Sequence, residues 1–409
     1  MFIKKRCVFT SLLLFYSLSV FAFFHIEPHI LEAATPKVTV DWLIEPQFNQ
    51  ANDFACGVAW VQEESGGLWK QIDREGNVLI DNYKADLITI YDTKTKTAVF
   101  WNSQDLAGYI NLSGDAVIAP QYERAWKFEE RVALVRQRKG DSSSLGVIDC
   151  EGNIVLPITY EFLRIISSDL FATRQGKEWR FINAEGNVTA RFVVEGMRVP
   201  DYLRDVFPVL LDKKMGLVNA GGEWVLPASF DKVYMGRDEL IGLEKDGKVG
   251  FVDATGRTII DFRFQGMFDN DTKYYYAFSE GLAVILFTNL PPPPSPEELT
   301  LENIVSGAAW SFKIEDVKSG VIDTSGKLLF EFRGMPLTLF SGGLLLVQTS
   351  EDRYGLIDRE GNLHLLPQNV EFDLFLPKSL EERILRVQTK DKKARFGIDL
   401  HGYLKINVK

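Results

Sequence analysis

The side chains whose type and spacing could do chemistry form a long periodic row. Asp73, Asn111, Asp149, Asn183, Asn219, Asp253, Asp323, Asp358 and Asp399 follow one another at intervals of 38, 38, 34, 36, 34, 70, 35 and 41 residues. A row of acids could bind cations, or supply the paired carboxylates of a glycosidase. The row itself argues otherwise, because asparagine takes the place at 111, 183 and 219. Each member stands three residues after one glycine and three before another, or in a degenerate form of that block. Asp or Asn at the first position and Gly at the fourth is the signature of a type I turn. The repeated acid is therefore read as a turn-former.

Other reactive residues are few. His364 and His401 stand apart, and a metal site needs further converging ligands. Cys7 belongs to the N-terminal segment, while Cys56 and Cys150 lie about two repeats apart; their spacing leaves a disulfide open without requiring one. Glu129, Glu130, Glu297 and Glu298 read as a solvated face. The sequence has no glycine-rich phosphate loop leading into a helix and no Gly-x-Ser-x-Gly elbow. The expectation is a non-catalytic chain without cofactor or metal, whose binding residues the sequence does not single out.

The elements that carry this row are strands. The block reads Gly108-Tyr-Ile-Asn111-Leu-Ser-Gly114, then Gly146-Val-Ile-Asp149-Cys-Glu-Gly152. It returns at Gly216, Gly250, Gly320 and Gly355, with worn copies around Asp73, Asn183 and Asp399. Apolar pairs on both sides make each block a hairpin closed by its last glycine. A strand ending in Pro and an aromatic follows, as at Pro46-Gln-Phe48, Pro120-Gln-Tyr122, Pro157-Ile-Thr-Tyr160 and Pro227-Ala-Ser-Phe230. Proline cannot donate to a ladder, so it is expected at a strand end or sheet edge. Then comes Phe-x-x-Gly-x-Ala, at Phe54 to Ala59 and Phe278 to Ala283; Phe128 to Ala133 is a variant with Arg131 in the glycine place. A period near 36 residues with three to four short antiparallel strands per unit predicts an all-β array of about nine tandem repeats.

These motifs resemble the WG-repeat (KWG-repeat) family of bacterial proteins, over roughly Asp41 to Lys409. The namesake dipeptide is worn: Trp69 and Trp179 are followed by Lys70 and Arg180. The resemblance implies a β-repeat scaffold and brings no catalytic residues with it.

The array starts in mid-unit, since Trp42 to Phe48 aligns with the strand and Pro-aromatic of later repeats. That offset fits either a propeller-like array closed by overlap or an open β-superhelix. Nine is an unusual propeller number, which favours the open form. The interval of 70 marks an insertion at about 287–313, centred on Pro291-Pro-Pro-Pro-Ser-Pro-Glu-Glu298 and read as a solvated loop or a docking segment for a proline-binding partner.

Residues 1–34 read as a signal peptide: Lys4, Lys5 and Arg6 precede an apolar run from Val8 to Phe24, with small residues at Ala33 and Ala34. Residues 35–409 are then the repeat array. The net charge of −10 becomes slightly more negative on removal of that segment. An acidic chain without a basic stripe argues against nucleic acid, and no membrane span is expected once the signal is cleaved. The expected role is a secreted or envelope-located binding or scaffolding protein, engaging a protein or a cell-envelope glycan through its repeat face. The alternative is a carbohydrate-active enzyme on the same fold.

Overall fold

In a computed structural model of the chain, the described residues are 38–198, 205–265, 277–287, 314–350, 353–367, 370–371, 383–389 and 401–408. The predicted signal peptide, all but the first residue of the insertion, and Asp399 lie outside them. The described chain is almost wholly β, in nine small antiparallel sheets. Eight have four strands and one has three among the described residues, in agreement with the repeat count.

We number these sheets as blades in chain order. Blade 1 comprises Gln50–Ala51, Val58–Gln62, Trp69–Asp73 and Val78–Tyr83. Blade 2 comprises Leu87–Ile88, Thr97–Trp101, Ala107–Asn111 and Ala116–Tyr122. Blade 3 comprises Arg124–Ala125, Val132–Lys139, Ser142–Asp149 and Ile154–Tyr160. Blades 4, 5 and 6 begin at Leu163–Ile165, Gly196–Met197 and Lys232–Met235. Blade 7 holds Leu282–Leu286, Lys318–Asp323 and Leu328–Arg333, and blade 8 begins at Met335–Pro336. Blade 9 is assembled from both ends of the array: Val370–Glu371, Ile384–Thr389 and His401–Val408 are completed by Val38–Phe48.

The array is closed, which corrects the preference for an open ribbon. Strand Val38–Phe48 pairs antiparallel with His401–Val408, Val38 opposite Val408 and Trp42 opposite Leu404. Apolar clusters then fill every junction in turn, from blades 1 and 2 through to blades 9 and 1. The closing junction is also built like an internal one. The Tyr403 hydroxyl donates to the Asn52 carbonyl at 2.6 Å, as Tyr109 donates to the Trp126 carbonyl at 2.8 Å between blades 2 and 3. Arg386 adds a half-buried ion pair to Asp53 at 2.8 Å and a bond to the Ala51 carbonyl. The result is a nine-bladed β-propeller. Residue count does not decide closure; the small rotation between repeats does, and no single repeat encodes it.

Local chemistry explains each blade. The block carboxylate or amide accepts backbone N–H groups two and four residues on: Asp149 Oδ1 takes those of Glu151 and Asn153 at 3.0 and 2.8 Å. Asn111 does the same with Ser113 and Asp115 at 3.0 and 2.9 Å. The turn-forming reading therefore holds, and it explains why Asp and Asn alternate freely. The last glycine of the block is left-handed and lies on the preceding blade. At Gly256 φ is +84°, and a Cβ would come within 3.0 Å of Leu226.

The Pro-aromatic motif proves to be a bulge inside an edge strand. Tyr109 pairs with Ile118 and Ala107 with Tyr122, so the fourth strand gains residues around Pro120. Across the bulge, a Cβ on Gly108 would lie 2.5 Å from the Ile118 carbonyl oxygen, so only glycine permits the approach. The aromatic residues of the motif are core: Phe48 and Tyr122 are buried between blades. So are Trp69 and Trp179, the remnants of the namesake dipeptide.

The insertion leaves blade 7 where expected. Leu286 pairs with Ser319, and the Phe287 N–H donates to Lys318 at 2.9 Å, so the two flanking strands stay in register up to the excursion.

Candidate functional site

Antiparallel order along each blade places its first-to-second turn and its third-to-fourth turn at the same end. One end of the propeller therefore carries both the Phe-x-x-Gly-x-Ala turns and the Asp-x-x-Gly turns of the blades. This end is the candidate site.

On it, the first turns are fastened from blade to blade. Asp238, from blade 6, accepts the Glu280 and Gly281 N–H groups of blade 7 at 3.1 and 2.6 Å. Glu280 in turn accepts the Gly342 and Gly343 N–H groups of blade 8 at 2.7 and 2.9 Å. Arg359 also reaches Glu280, at 3.1 Å to the carboxylate. Burial pushes the Glu280 carboxyl up, but the Gly343 N–H, Arg359 and the Gly342 N–H together outweigh it and leave the pKa lowered. Glu130 of blade 3 makes one such bond, accepting the Ser168 N–H of blade 4 at 3.3 Å. These carboxylates act as bolts between blades.

The junction of blades 2 and 3 is different. It opens into a pocket of about 520 Å³ lined by Lys94, Lys96, Arg131, Thr97, Ser113 and Cys150, among others. Two departures from the repeat bring the cations there. Blade 2 replaces the tight first turn with a longer loop, which Asp92 organises by accepting the Lys94 and Thr95 N–H groups at 3.0 and 2.8 Å. In blade 3, Arg131 takes the place that Gly57, Gly281 and Gly343 hold elsewhere. At Gly57 and Gly281 a Cβ would meet nothing within 4 Å, so the position has room for a side chain.

The cations are loosely held. The Lys96 ammonium reaches the Cys56 sulfur at 3.6 Å, and Arg131 approaches Glu151 only at 3.9 Å, with both side chains well exposed. Such an exposed pair contributes little. The Cys150 thiol donates to the Arg131 carbonyl at 3.3 Å, and burial raises its pKa, which keeps it neutral. Lys96 and Glu130 both sit at positive φ, 58° and 57°, an uncommon conformation for residues other than glycine.

The remaining residues singled out by the sequence are placed as follows. His364 hydrogen-bonds Asp358, its own repeat's turn-former, at 3.0 Å, and His401 opens the third strand of blade 9. Cys56 and Cys150 lie in different junctions and are not joined by a disulfide. Glu129 sits in the turn that bridges to Val132, while Glu297 and Glu298 fall outside the described residues. Among the described residues no group of three His, Cys, Asp or Glu side chains is placed to hold a metal ion. No described helix is long and apolar enough to cross a membrane. Arg131 stands out in the sequence as a variant, but nothing there joins it to Lys94 and Lys96. The signal was present, since a charged residue replaced a turn glycine, but blade adjacency was needed to use it.

Comparison with known proteins agrees with this architecture. Residues 41–69, 108–139, 146–179, 215–248 and 250–289 match the family model described as the WG containing repeat. No curated protein matches in sequence. Among solved structures, one described as the eukaryotic initiation factor is 12% identical, with a TM-score of 0.52 over 83% of this chain and 93% of that one. BamB from Moraxella catarrhalis is 10% identical, with a TM-score of 0.35 over 81% of this chain and 99% of its own. At such identities the first of these likenesses speaks for the fold alone. The five matched stretches, spread over blades 1 to 7 and the strand that closes blade 9, show that this chain carries WG-containing repeats.

Proposed function

We propose that the chain is a non-catalytic binding or scaffolding protein that works outside the cytoplasm and engages a protein or an envelope glycan through the turn-bearing end of its propeller. One observation carries this reading. The acids that recur with the repeat are occupied by backbone N–H groups, within their own turns at Asp149, Asp253 and Asp323 and across junctions at Asp238 and Glu280. A carboxylate held ionised by several donors is a poor general acid, because its proton affinity is lowered. Lowered pKa values at Asp149, Asp253 and Asp323 fit that description. The export signal read in residues 1–34 supports a place outside the cytoplasm.

The test is co-sedimentation of the purified chain with isolated cell-envelope glycan and with envelope protein fractions, assayed at the same time for released reducing ends. Saturable retention without new reducing ends is the expected result. Hydrolysis that follows the protein through purification would replace this reading with the carbohydrate-active enzyme.

A further inference from the structure

The junction of blades 2 and 3 departs from the repeat at two places that bring three cations to one pocket. Lys94 and Lys96 project from the long loop of blade 2, and Arg131 stands where the repeat uses glycine. In a chain of net charge −10, three cations around one cavity are a local reversal of sign. Glu130, which gives an oxygen to the Ser168 N–H, also lines the pocket, so its lining holds three cations and one acid. Asp92 holds the loop by accepting the Lys94 and Thr95 N–H groups and the Thr95 hydroxyl, and Glu151 comes no nearer to Arg131 than 3.9 Å. Lys96 holds a positive φ in the altered loop, and places where a repeat breaks its own local rules are where function is to be sought.

We infer that this pocket binds a sugar unit bearing a phosphate or carboxylate group. The inference rests on the binding role proposed above and names its ligand class. A volume near 520 Å³ falls within the roughly 300–1,000 Å³ of small-ligand sites. Arg131 supplies a planar fork suited to an oxyanion, and the two lysines supply point charges. Ser113 and Thr97 offer hydroxyls to a polyol, and Leu112 and Val117 offer apolar contact to the carbon face of the ring. Partly exposed and neutral, the Cys150 thiol does not oppose an anion.

Two substitutions test this. Arg131→Gly puts at this position the residue that blades 1, 7 and 8 carry, and Lys96→Gly relieves a positive φ. The full chain is titrated calorimetrically with glucose 1-phosphate, glucuronic acid, glucose and inorganic phosphate. The expected result is saturable binding of one or both charged sugars, weakening as salt is added. Glucose should not bind, and inorganic phosphate should bind at least about tenfold more weakly. Each variant should weaken binding about tenfold or more with its melting temperature retained.

Comparing the two charged sugars assigns the anionic group as phosphate or carboxylate. Equal affinity for inorganic phosphate and glucose 1-phosphate would overturn the sugar assignment. Tight binding of a poly-glutamate peptide with no response to any sugar would assign the pocket to acidic protein instead. If no sugar binds while the chain still co-sediments with envelope material, the pocket assignment fails and the broader reading stands. If the chain co-sediments with nothing, the broader reading fails, whatever the pocket binds.

Discussion

Two sets of junctions on the same end of the propeller use the same turn position in opposite ways. From blade 6 to blade 8, Asp238 and Glu280 reach forward and cap the next blade's turn. Between blades 2 and 3 an open cavity and three cations stand at that end. A repeat array has more junctions than it needs bolts, so such a junction is available for recognition. The contrast also shows in packing. Between blades 6 and 7 a Cβ on Gly326 would press on Ile260 at 2.8 Å, whereas one on Gly152 would meet Ile118 at an ordinary 3.4 Å.

That contrast can be sharpened by substitution. Gly326→Val combines a β-branched residue at positive φ with a crowded neighbour and should cost about 3 kcal/mol. Gly152→Val carries the same backbone strain in the looser junction and should cost about 2 kcal/mol. Denaturant melts of the two compare them directly, and equal losses would mean that the junctions are packed alike.

Glu280→Ala strips two backbone donors and Arg359 of their acceptor, and should cost about 2 kcal/mol. The same residue makes stability pH-dependent. Its folded pKa lies below its ordinary 4.5, so its contribution is complete above that value. It is lost as the pH falls through the lowered folded pKa. Wild type should therefore lose stability below about pH 4.5 more steeply than Glu280→Gln, and parallel acid melts would remove Glu280 from the account. The smallest effect is expected at Asp149→Asn, below about 0.5 kcal/mol, because Asn111 makes the same turn bonds one blade earlier. Loss of binding by that variant with an unchanged melt would mean that the turn acids do more than turn.

The blades were legible in sequence because their determinants are local. Asp149 and Gly152 specify a hairpin within four residues, and the interval between copies counts the blades. Pro120 was correctly assigned to a sheet edge, but not to the interior of the strand, because the bulge is set by Gly108 on the neighbouring strand. Closure was not legible. It depends on Val38–Phe48 meeting His401–Val408 across almost the whole chain, through a rotation accumulated over every blade. The pocket was half legible. Arg131 in a glycine place was visible, while Lys94 and Lys96 sit in an ordinary polar loop about a repeat away and join it only once blades 2 and 3 are set side by side.

The central claim is a division of labour between junctions, and one paired measurement tests it most directly. Arg131→Gly and Glu280→Ala are each followed by thermal melt and by envelope co-sedimentation at a temperature where both are folded. The account predicts that Arg131→Gly melts with wild type and loses retention, while Glu280→Ala melts several degrees lower and keeps it. The reverse pattern, or retention falling only in proportion to stability in both variants, would contradict it.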